Sequence, residues 1–407
     1  MAQTLITSDV ITKRSLADFQ NKLVWGGQCY KGWEPEFANN EYQKGDTVNV
    51  RLPVQYRGDE GRSLSIQDTI ETSTPFQIQY QPGVRIGNFS SKNLTLDIGE
   101  FDRRYTQQVG SAIANKIDAL ISDETLNASN FYIMPSISSS SVNGLRAFMN
   151  KLAIPTDMRY LNLAFDYSSE LADSLNNNFS NKSREEALYD GYIVSSSQFD
   201  ITECTHIKYH ESGIGAGGAA TNGLIDAGTV SVAVASGNQI DITGVAADTT
   251  VFKAGDVIEI SAIGLSRINP KSYEVNFLNP QFVITEDAIS TGTDVTITVS
   301  PAIVSDSTSP YQNINIEIPI GAEVKLAASH LINMGWHEMG LACVSPQLVM
   351  PMDSGSNASR MPDPDTGWSL RVSYEYTQGE DQNSLRADTL LGVKIFPQYC
   401  VRTIILS

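Results

Sequence analysis

Between residues 224 and 315 the sequence consists almost entirely of short alternating segments: TVSVAVA, NQIDITG, DVIEISAI, QFVITE and DVTITVSPAI. Turn signals part them at Ser236-Gly237-Asn238, Lys253-Ala254-Gly255-Asp256 and Thr291-Gly292-Thr293-Asp294. Alternation with period two places every second side chain on one face, a pattern that suits a strand and not a helix. Several such segments in succession, with no helical period among them, point to a small all-β barrel or sandwich. A glycine-rich run, GIGAGGAATNG, leads into this region at residues 213–223. The sequence on either side follows other periods. The spacing therefore predicts an all-β module over 223–315 inserted into an α+β host, because the helix-rich part has too few strands to close without its C-terminal third.

Within the host, Ser8 can cap a helix reaching about residue 23, with Val10, Ile11, Leu16, Phe19 and Leu23 mostly on one face. Trp25-Gly26-Gly27 and Trp33-Glu34-Pro35 then interrupt any period, so residues 24–45 read as an extended arm. Val48, Val50, Leu52, Val54 and Tyr56 alternate with polar residues as a strand. A charged turn, Arg57-Gly58-Asp59-Glu60-Gly61-Arg62, and a polar-rich strand over 63–81 complete a long hairpin. That hairpin has little apolar surface and needs a cover. The strongest helical period spans 98–123, through Ile98, Phe101, Tyr105, Val109, Ile113, Ile117 and Ile121. At 1.5 Å per residue it would make a rod of roughly 40 Å. Shorter helices are expected at 142–153 and 168–177, and strands at 160–165, 192–209, 341–349, 369–375 and 391–405.

At 407 residues the chain has room for about two or three domains. Its apolar fraction of 41% and charged fraction of 18% suit a globular protein, and no run approaches the roughly 18 residues of a membrane span. No basic stretch followed by an apolar run opens the sequence, so cytosolic folding is expected. The net charge of −18, without a dense basic segment, argues against a dedicated nucleic-acid reader. Cys29, Cys204, Cys343 and Cys400 lie far apart, which suggests reduced and buried thiols. Four histidines leave little material for acid–base catalysis.

The chemical motifs are sparse. Residues 213–218 match G-x-G-x-x-G, but strand rather than helix follows, so a flexible linker is the expectation instead of a phosphate site. Cys204, His206 and His210 would share one strand face without a fourth ligand nearby, and read as a solvated or interfacial face. His337 belongs to no H-E-x-x-H or nucleophile motif and reads as structural. Glu185-Glu186 and Glu380-Asp381 read as surface charge, and Pro362 through Gly367 as a stiff loop without calcium-ligand spacing. No cofactor is expected.

The order of elements, from arm through charged hairpin, long helix and α/β part to a strand-rich return, resembles the major capsid proteins of tailed bacteriophages. The second half is closer in residues. Phe252-Lys253-Ala254-Gly255-Asp256-Val257-Ile258, Phe282-Val283-Ile284-Thr285, Val295 through Ile303 with Ser300-Pro301, and Tyr311-Gln312-Asn313-Ile314-Asn315 resemble the inserted β-barrel of coat proteins from short-tailed Salmonella phages. Asn333-Met334-Gly335-Trp336-His337, Gly367 through Val372, Arg386 through Val393, and Arg402 resemble that family's later segments.

The resemblance implies an α+β capsid fold with an N-terminal arm at 1–45 and an E-loop hairpin at 46–82. A peripheral domain would occupy 83–160, with its spine helix at 98–123. The axial domain would run over 161–222, the inserted barrel over 223–315, and the axial and peripheral return over 316–407. It implies a shell-forming subunit in the virion, not an enzyme, with copies of itself, a scaffolding protein and a portal protein as partners, and no membrane. Packaged DNA would meet it through weak non-specific contacts, as the charge agrees. Arg51, Arg57, Asp59, Glu60 and Arg62 become candidates for subunit contact, and Phe252, Gly255, Asp256, Ser300 and Pro301 mark the inserted domain. Relatives carry a long loop early in the inserted domain that touches a neighbouring capsomer, whereas 231–251 is short here. Some such capsids also join subunits by a Lys–Asn isopeptide bond from the E-loop, yet residues 45–91 contain no lysine. A competing reading is a β-rich tail protein or adhesin for a receptor or carbohydrate, which would bring strand repeats or exposed aromatic clusters.

Overall fold

The computed structural model describes residues 23–31, 47–51, 56, 58, 73–90, 107–176, 195–350, 357–362, 367–377, 379 and 382–406. The chain divides into two units, one from 1–52, 73–124 and 341–394, the other from 53–72, 125–340 and 395–407. Among the described residues no helix is long and apolar enough to cross a membrane.

In the first unit the expected hairpin stem is present. Thr47–Arg51 pairs antiparallel with Ser73–Tyr80, from Thr47 opposite Gln77 to Arg51 opposite Ser73. These strands continue into a four-stranded sheet with Leu391–Ile395 and Leu341–Val344. A second four-stranded sheet runs Asn357–Pro362, Ser369–Thr377, Gln382–Asp388 and Gly83–Ser90. The described part of the long helix is Gln107–Glu124, with Val109, Ile113, Ile117 and Ile121 buried on one face at the spacing that the sequence gives. Residues 98–106, and the helix expected to reach residue 23, fall outside the described residues or at their edge.

The arm reading is corrected at its start. Trp25–Gln28 is a helical turn, and Trp25 is completely buried. The Asp118 carboxylate of the long helix accepts hydrogen bonds from Val24 N at 2.8 Å and Gly26 N at 3.0 Å. Those bonds satisfy N–H groups that a helix start leaves open. Tyr30 then pairs in parallel with Ala342, its N–H reaching Leu341 O at 2.8 Å. Burying an indole and capping the turn from a distant helix outweigh the two glycines.

The second unit is built on a six-stranded sheet in the order Asn130–Met134, Cys400–Ile405, Asn333–His337, Arg159–Leu163, Phe199–Glu203 and Ser195–Ser196. Two neighbouring pairs are parallel, Cys400–Ile405 with Asn130–Met134 and Arg159–Leu163 with Phe199–Glu203. A parallel pair needs a crossover, and the helix Phe165–Asn176 lies in the segment that supplies the second one. The helix Ser139–Lys151 starts where Ser138 Oγ accepts from Ser141 N at 3.2 Å. Its Val142, Leu145 and Met149 join Leu161, Leu171 and Val401 in one core. The strand expected over 192–209 is broken: Ser197 and Gln198 take positive φ in a tight hairpin turn between Ser195–Ser196 and Phe199–Glu203, and after Glu203 strand resumes only at Tyr209–His210.

The all-β module is a closed barrel of six strands in the order Ser236–Thr243, Asp294–Val304, Gln281–Ile284, Val257–Ser261, Glu323–Ala327 and Leu224–Val230. Ile240, Ile242, Ile258, Ile260, Phe282, Ile297, Val299, Val324 and Leu326 fill it. Closure depends on Glu323–Ala327, whose Leu326 pairs with Ile258 on one side and Ile225 on the other. The module therefore extends beyond the expected boundary at 315. Full closure leaves no strand edge to protect.

Candidate functional site

The chain reaches the barrel after Tyr209–His210 and leaves it before His330–Leu331, and these two short strands pair with each other, His210 opposite His330. They form a neck. The segment Lys253-Ala254-Gly255-Asp256, read from sequence as a turn, folds back against it. Asp256 N donates to Lys253 O at 3.0 Å, and Asp256 Oδ2 accepts from Lys253 N at 2.7 Å. The same carboxylate accepts from Gly213 N at 3.1 Å and meets His210 Nε2 at 2.7 Å through Oδ1. Asp256 has no exposed surface. A buried carboxylate is tolerable when its lone pairs are filled in this way.

Arg402 enters from the sheet. It lies on Cys400–Ile405, all six residues of which are buried. Its Nη1 donates to Gly255 O at 3.0 Å, and its Nη2 to Leu126 O at 2.7 Å and Ala128 O at 3.3 Å. Burial pulls the guanidinium down to about 10, against the charge of Asp256. Gly255 sits at φ +89°, where a Cβ would meet Leu126 Cδ2 at 3.2 Å. The position needs both the left-handed backbone and the missing side chain.

His330 is also buried in the neck. Its Nδ1 donates to Ala328 O at 2.6 Å, which leaves the lone pair on Nε2. Burial first, then the charge of Arg402, lower the imidazole to about 3, so it is neutral at physiological pH. Its ring stands edge-on to that of His210, with centroids 5.9 Å apart.

Further contacts seat the barrel on the sheet. Gln281 accepts from Phe131 N and donates to Phe131 O, each at 3.0 Å, as a backbone partner would. Arg267 Nη1 reaches Asn130 Oδ1 at 2.7 Å. Beside them Phe131, Val257, Val283, Ala327 and Ile404 form a small apolar cluster shared by barrel and sheet. On the barrel's flank a groove of about 650 Å³ is lined by Thr221, Asn222, Asp226, Thr229, Glu323 and Lys325 among others, with no aromatic ring in its wall.

Of the residues singled out from sequence, the structure gathers Gly255 and Asp256 at the neck. Phe252 is fully buried in the barrel core just before them. Ser300 and Pro301 lie on the strand Asp294–Val304, where Ser300 pairs with Val283 and the Ser300–Pro301 peptide is cis. Arg51 ends the hairpin strand opposite Ser73, while Arg57, Asp59, Glu60 and Arg62 lie outside the described residues.

Two readings are corrected. Residues 213–218 are not a flexible linker: a Cβ on Gly213 would fall 2.2 Å from Val251 O, Gly215 N donates to Val251 O at 3.0 Å, and Ala216 N to Asp226 O at 2.8 Å. Close backbone packing uses these glycines. Cys204, His206 and His210 do not share a strand face, because the strand ends at Glu203 and His210 turns to Asp256 as a buried side chain. Among the described residues no three His, Cys, Asp or Glu side chains gather as a metal site. All four cysteines are buried and none forms a disulfide. His337 is buried beside Asp157, with Nδ1 accepting from Met339 N at 3.2 Å. Glu185-Glu186, Glu380-Asp381 and residues 363–366 fall outside the described residues. Sequence reasoning missed the roles of Gly213 and His330, and met Arg402 only as part of a resemblance.

No protein-family model and no curated protein matches this sequence. Among solved structures, the chain is similar to one described as Mycobacterium phage Che8, at 12% identity and a TM-score of 0.44, over 94% of this chain and 90% of that one. The capsid of Ralstonia phage GP4 aligns at 6% identity and a TM-score of 0.46, again over 94% and 90%. A virus-like particle from Pyrococcus furiosus aligns at 9% identity and a TM-score of 0.38, over 97% and 98%.

Proposed function

We propose that this chain is a major capsid protein of a tailed bacteriophage, a structural subunit that assembles into an icosahedral shell around double-stranded DNA. The observation that carries this reading is the closed barrel set into an α+β unit through a single paired neck. The residues that resemble the inserted-barrel coat proteins form that neck: Phe252 through Asp256 supply its turn, and Arg402 its anchor. Buried polar chemistry at a junction suits a part that must hold a fixed attitude in a shell. The neck's carboxylate is already engaged by His210 and backbone N–H groups, which suits a structural role and not an enzymatic one.

On this reading the partners are further copies of the chain in pentamers and hexamers, a scaffolding protein, a portal protein, and DNA held by weak non-specific contacts, with no membrane. Assembly takes place in the bacterial cytoplasm and the product resides in the virion. Arg51, Arg57, Asp59, Glu60 and Arg62 on the hairpin contact the neighbouring subunit, since complementary charge sets direction at an interface more than it adds affinity. The adhesin reading has less support, because small-molecule sites favour apolar and aromatic walls and the barrel's groove has no aromatic ring.

Negative-stain microscopy of the expressed chain, alone and with a cognate scaffolding protein, tests the reading. Closed shells or capsomer-like rings are the expected result. A chain that stays monomeric with its scaffold present, or forms fibrous trimers, would overturn it. Charge reversal at Arg57 and Arg62 should leave monomer folding intact and abolish assembly.

A further inference from the structure

The neck joins barrel and sheet through two chain crossings, and both are pinned by the same buried polar cluster. His210 and His330 face each other across the paired strands, Asp256 holds His210, and Arg402 holds the Gly255 turn. His330 has its Nδ1 proton committed to Ala328 O, so a second proton can enter only at Nε2. That atom is buried and has no hydrogen-bond partner, and neither has Nε of Arg402. The groups that act on His330 are Arg402 from the last strand, His210 from the opposing neck strand and the Ala328 carbonyl from its own segment. The Asp256 carboxylate, the nearby anion, is already shared among His210, Lys253 N and Gly213 N. Lys253 Nζ points away to Glu211 at 3.3 Å, a largely exposed pair. A protonated His330 would therefore place an unmatched N–H⁺ beside a guanidinium, out of reach of water.

We propose that the neck is a proton-sensitive latch, closed while His330 is neutral and released through His330 in acid, freeing the hinge strands while barrel and sheet each stay folded. This goes beyond the shell reading and does not depend on it. The sign follows from linkage. In the closed neck His330 titrates at about 3, against 6.5 when solvated, so the open form binds more protons between those values. The opening constant should then rise by a factor that approaches tenfold per pH unit well below 6.5, or about 50-fold between pH 6.5 and 4.5.

Hydrogen–deuterium exchange of the full chain at pH 6.5 and 4.5, with rates corrected for intrinsic pH dependence, tests the latch. The expected result is an opening constant raised about 50-fold in peptides covering residues 205–215 and 327–332, with the barrel strands Gln281–Ile284 and Asp294–Val304 still protected. His330→Gln, which can still donate to Ala328 O, should abolish the acid response. If that variant does not fold, the Nε2 resonance of His330 in the wild-type chain gives the same answer, since the latch requires it to stay deprotonated well below pH 5 in the closed form. Unchanged neck protection in acid, an equal response in His330→Gln, loss of protection throughout the chain, or ordinary titration near 6.5 would each overturn the proposal.

Discussion

Arg402 donates through Nη1 to the carbonyl of Gly255 at 3.0 Å, across a separation of 147 residues. One guanidinium thereby ties the final strand of the sheet to a turn of the inserted barrel, and its other nitrogen holds Leu126 O and Ala128 O.

Arg402→Met keeps the length of the side chain and removes its donors. The buried carbonyls of Gly255 and Ala128 and the part-buried one of Leu126 lose this partner, and Asp256 loses its neighbouring charge, at a cost of about 1–3 kcal/mol for each unsatisfied buried group. A drop of at least ~3 kcal/mol in urea unfolding is expected. Arg402→Lys should recover only part of that stability, because an ammonium cannot span the same fork. Equal stability of wild type and Arg402→Met would contradict the anchoring role.

The barrel should fold alone when its closing strand is included. A fragment of residues 212–329 is expected to give dispersed amide resonances and one cooperative melt. A fragment of 223–315 lacks Glu323–Ala327, leaves the edges of Val257–Ser261 and Leu224–Val230 unpaired, and should aggregate or stay poorly dispersed. Cooperative melting of the shorter piece would show that closure is dispensable.

Asp388 makes the first unit sensitive to acid. Burial alone would raise this carboxyl, but the Arg371 hydrogen bonds and charge, with Gln81 and Arg386, more than offset that and hold it below 3.8. Arg371 grips it at 2.9 and 2.7 Å. Because the folded-state value is lowered, the stabilisation is fully present above about pH 4 and fades as pH falls through that lower value. Asp388→Ala should cost about 3–5 kcal/mol at pH 7, since it strands a partly buried arginine, and should flatten stability against pH below 4. A variant with the wild-type acid profile would show that other carboxylates dominate.

If the chain forms shells, they should be held without covalent links. Residues 45–91 contain no lysine, and a guanidinium is no substitute nucleophile. All four thiols are buried, so none is presented for a bond between subunits. Particles boiled in SDS without reductant should run as monomer. A ladder that survives reductant would refute this, and one that reductant removes would point to a thiol uncovered by assembly.

The barrel was legible because period-two segments and turn dipeptides repeat without a helix among them. Its end was not, since Glu323–Ala327 is only five residues and follows an irregular stretch. Gly213 and its neighbours look like a linker in sequence, because close approach to Val251 depends on a residue far along the chain. Arg402 carried a local signal, a cation among Cys400, Val401, Ile404 and Ile405, but nothing local names the Gly255 carbonyl as its partner. Trp25 was hidden by the glycines that follow it, while its turn is capped by Asp118 on a distant helix. Short-range pattern reveals elements; the bonds that fix them are long-range.

The pairing of His210 with His330 has a bearing on how such a chain could arise and be altered. Strands that lie side by side bring the two ends of the barrel together, so the host sees the whole module as one long excursion from a single point. Loop-closure entropy grows only slowly with length, so such an excursion can be lengthened, exchanged or cut back to a turn with little change in the cost of closing it. The neck is thus a splice site in the physical sense: a compact cassette whose own ends lie one strand-spacing apart can be grafted between His210 and His330, provided that it supplies an acceptor for Arg402, partners for Asn130 and the Phe131 backbone, and apolar cover for Phe131 and Ile404.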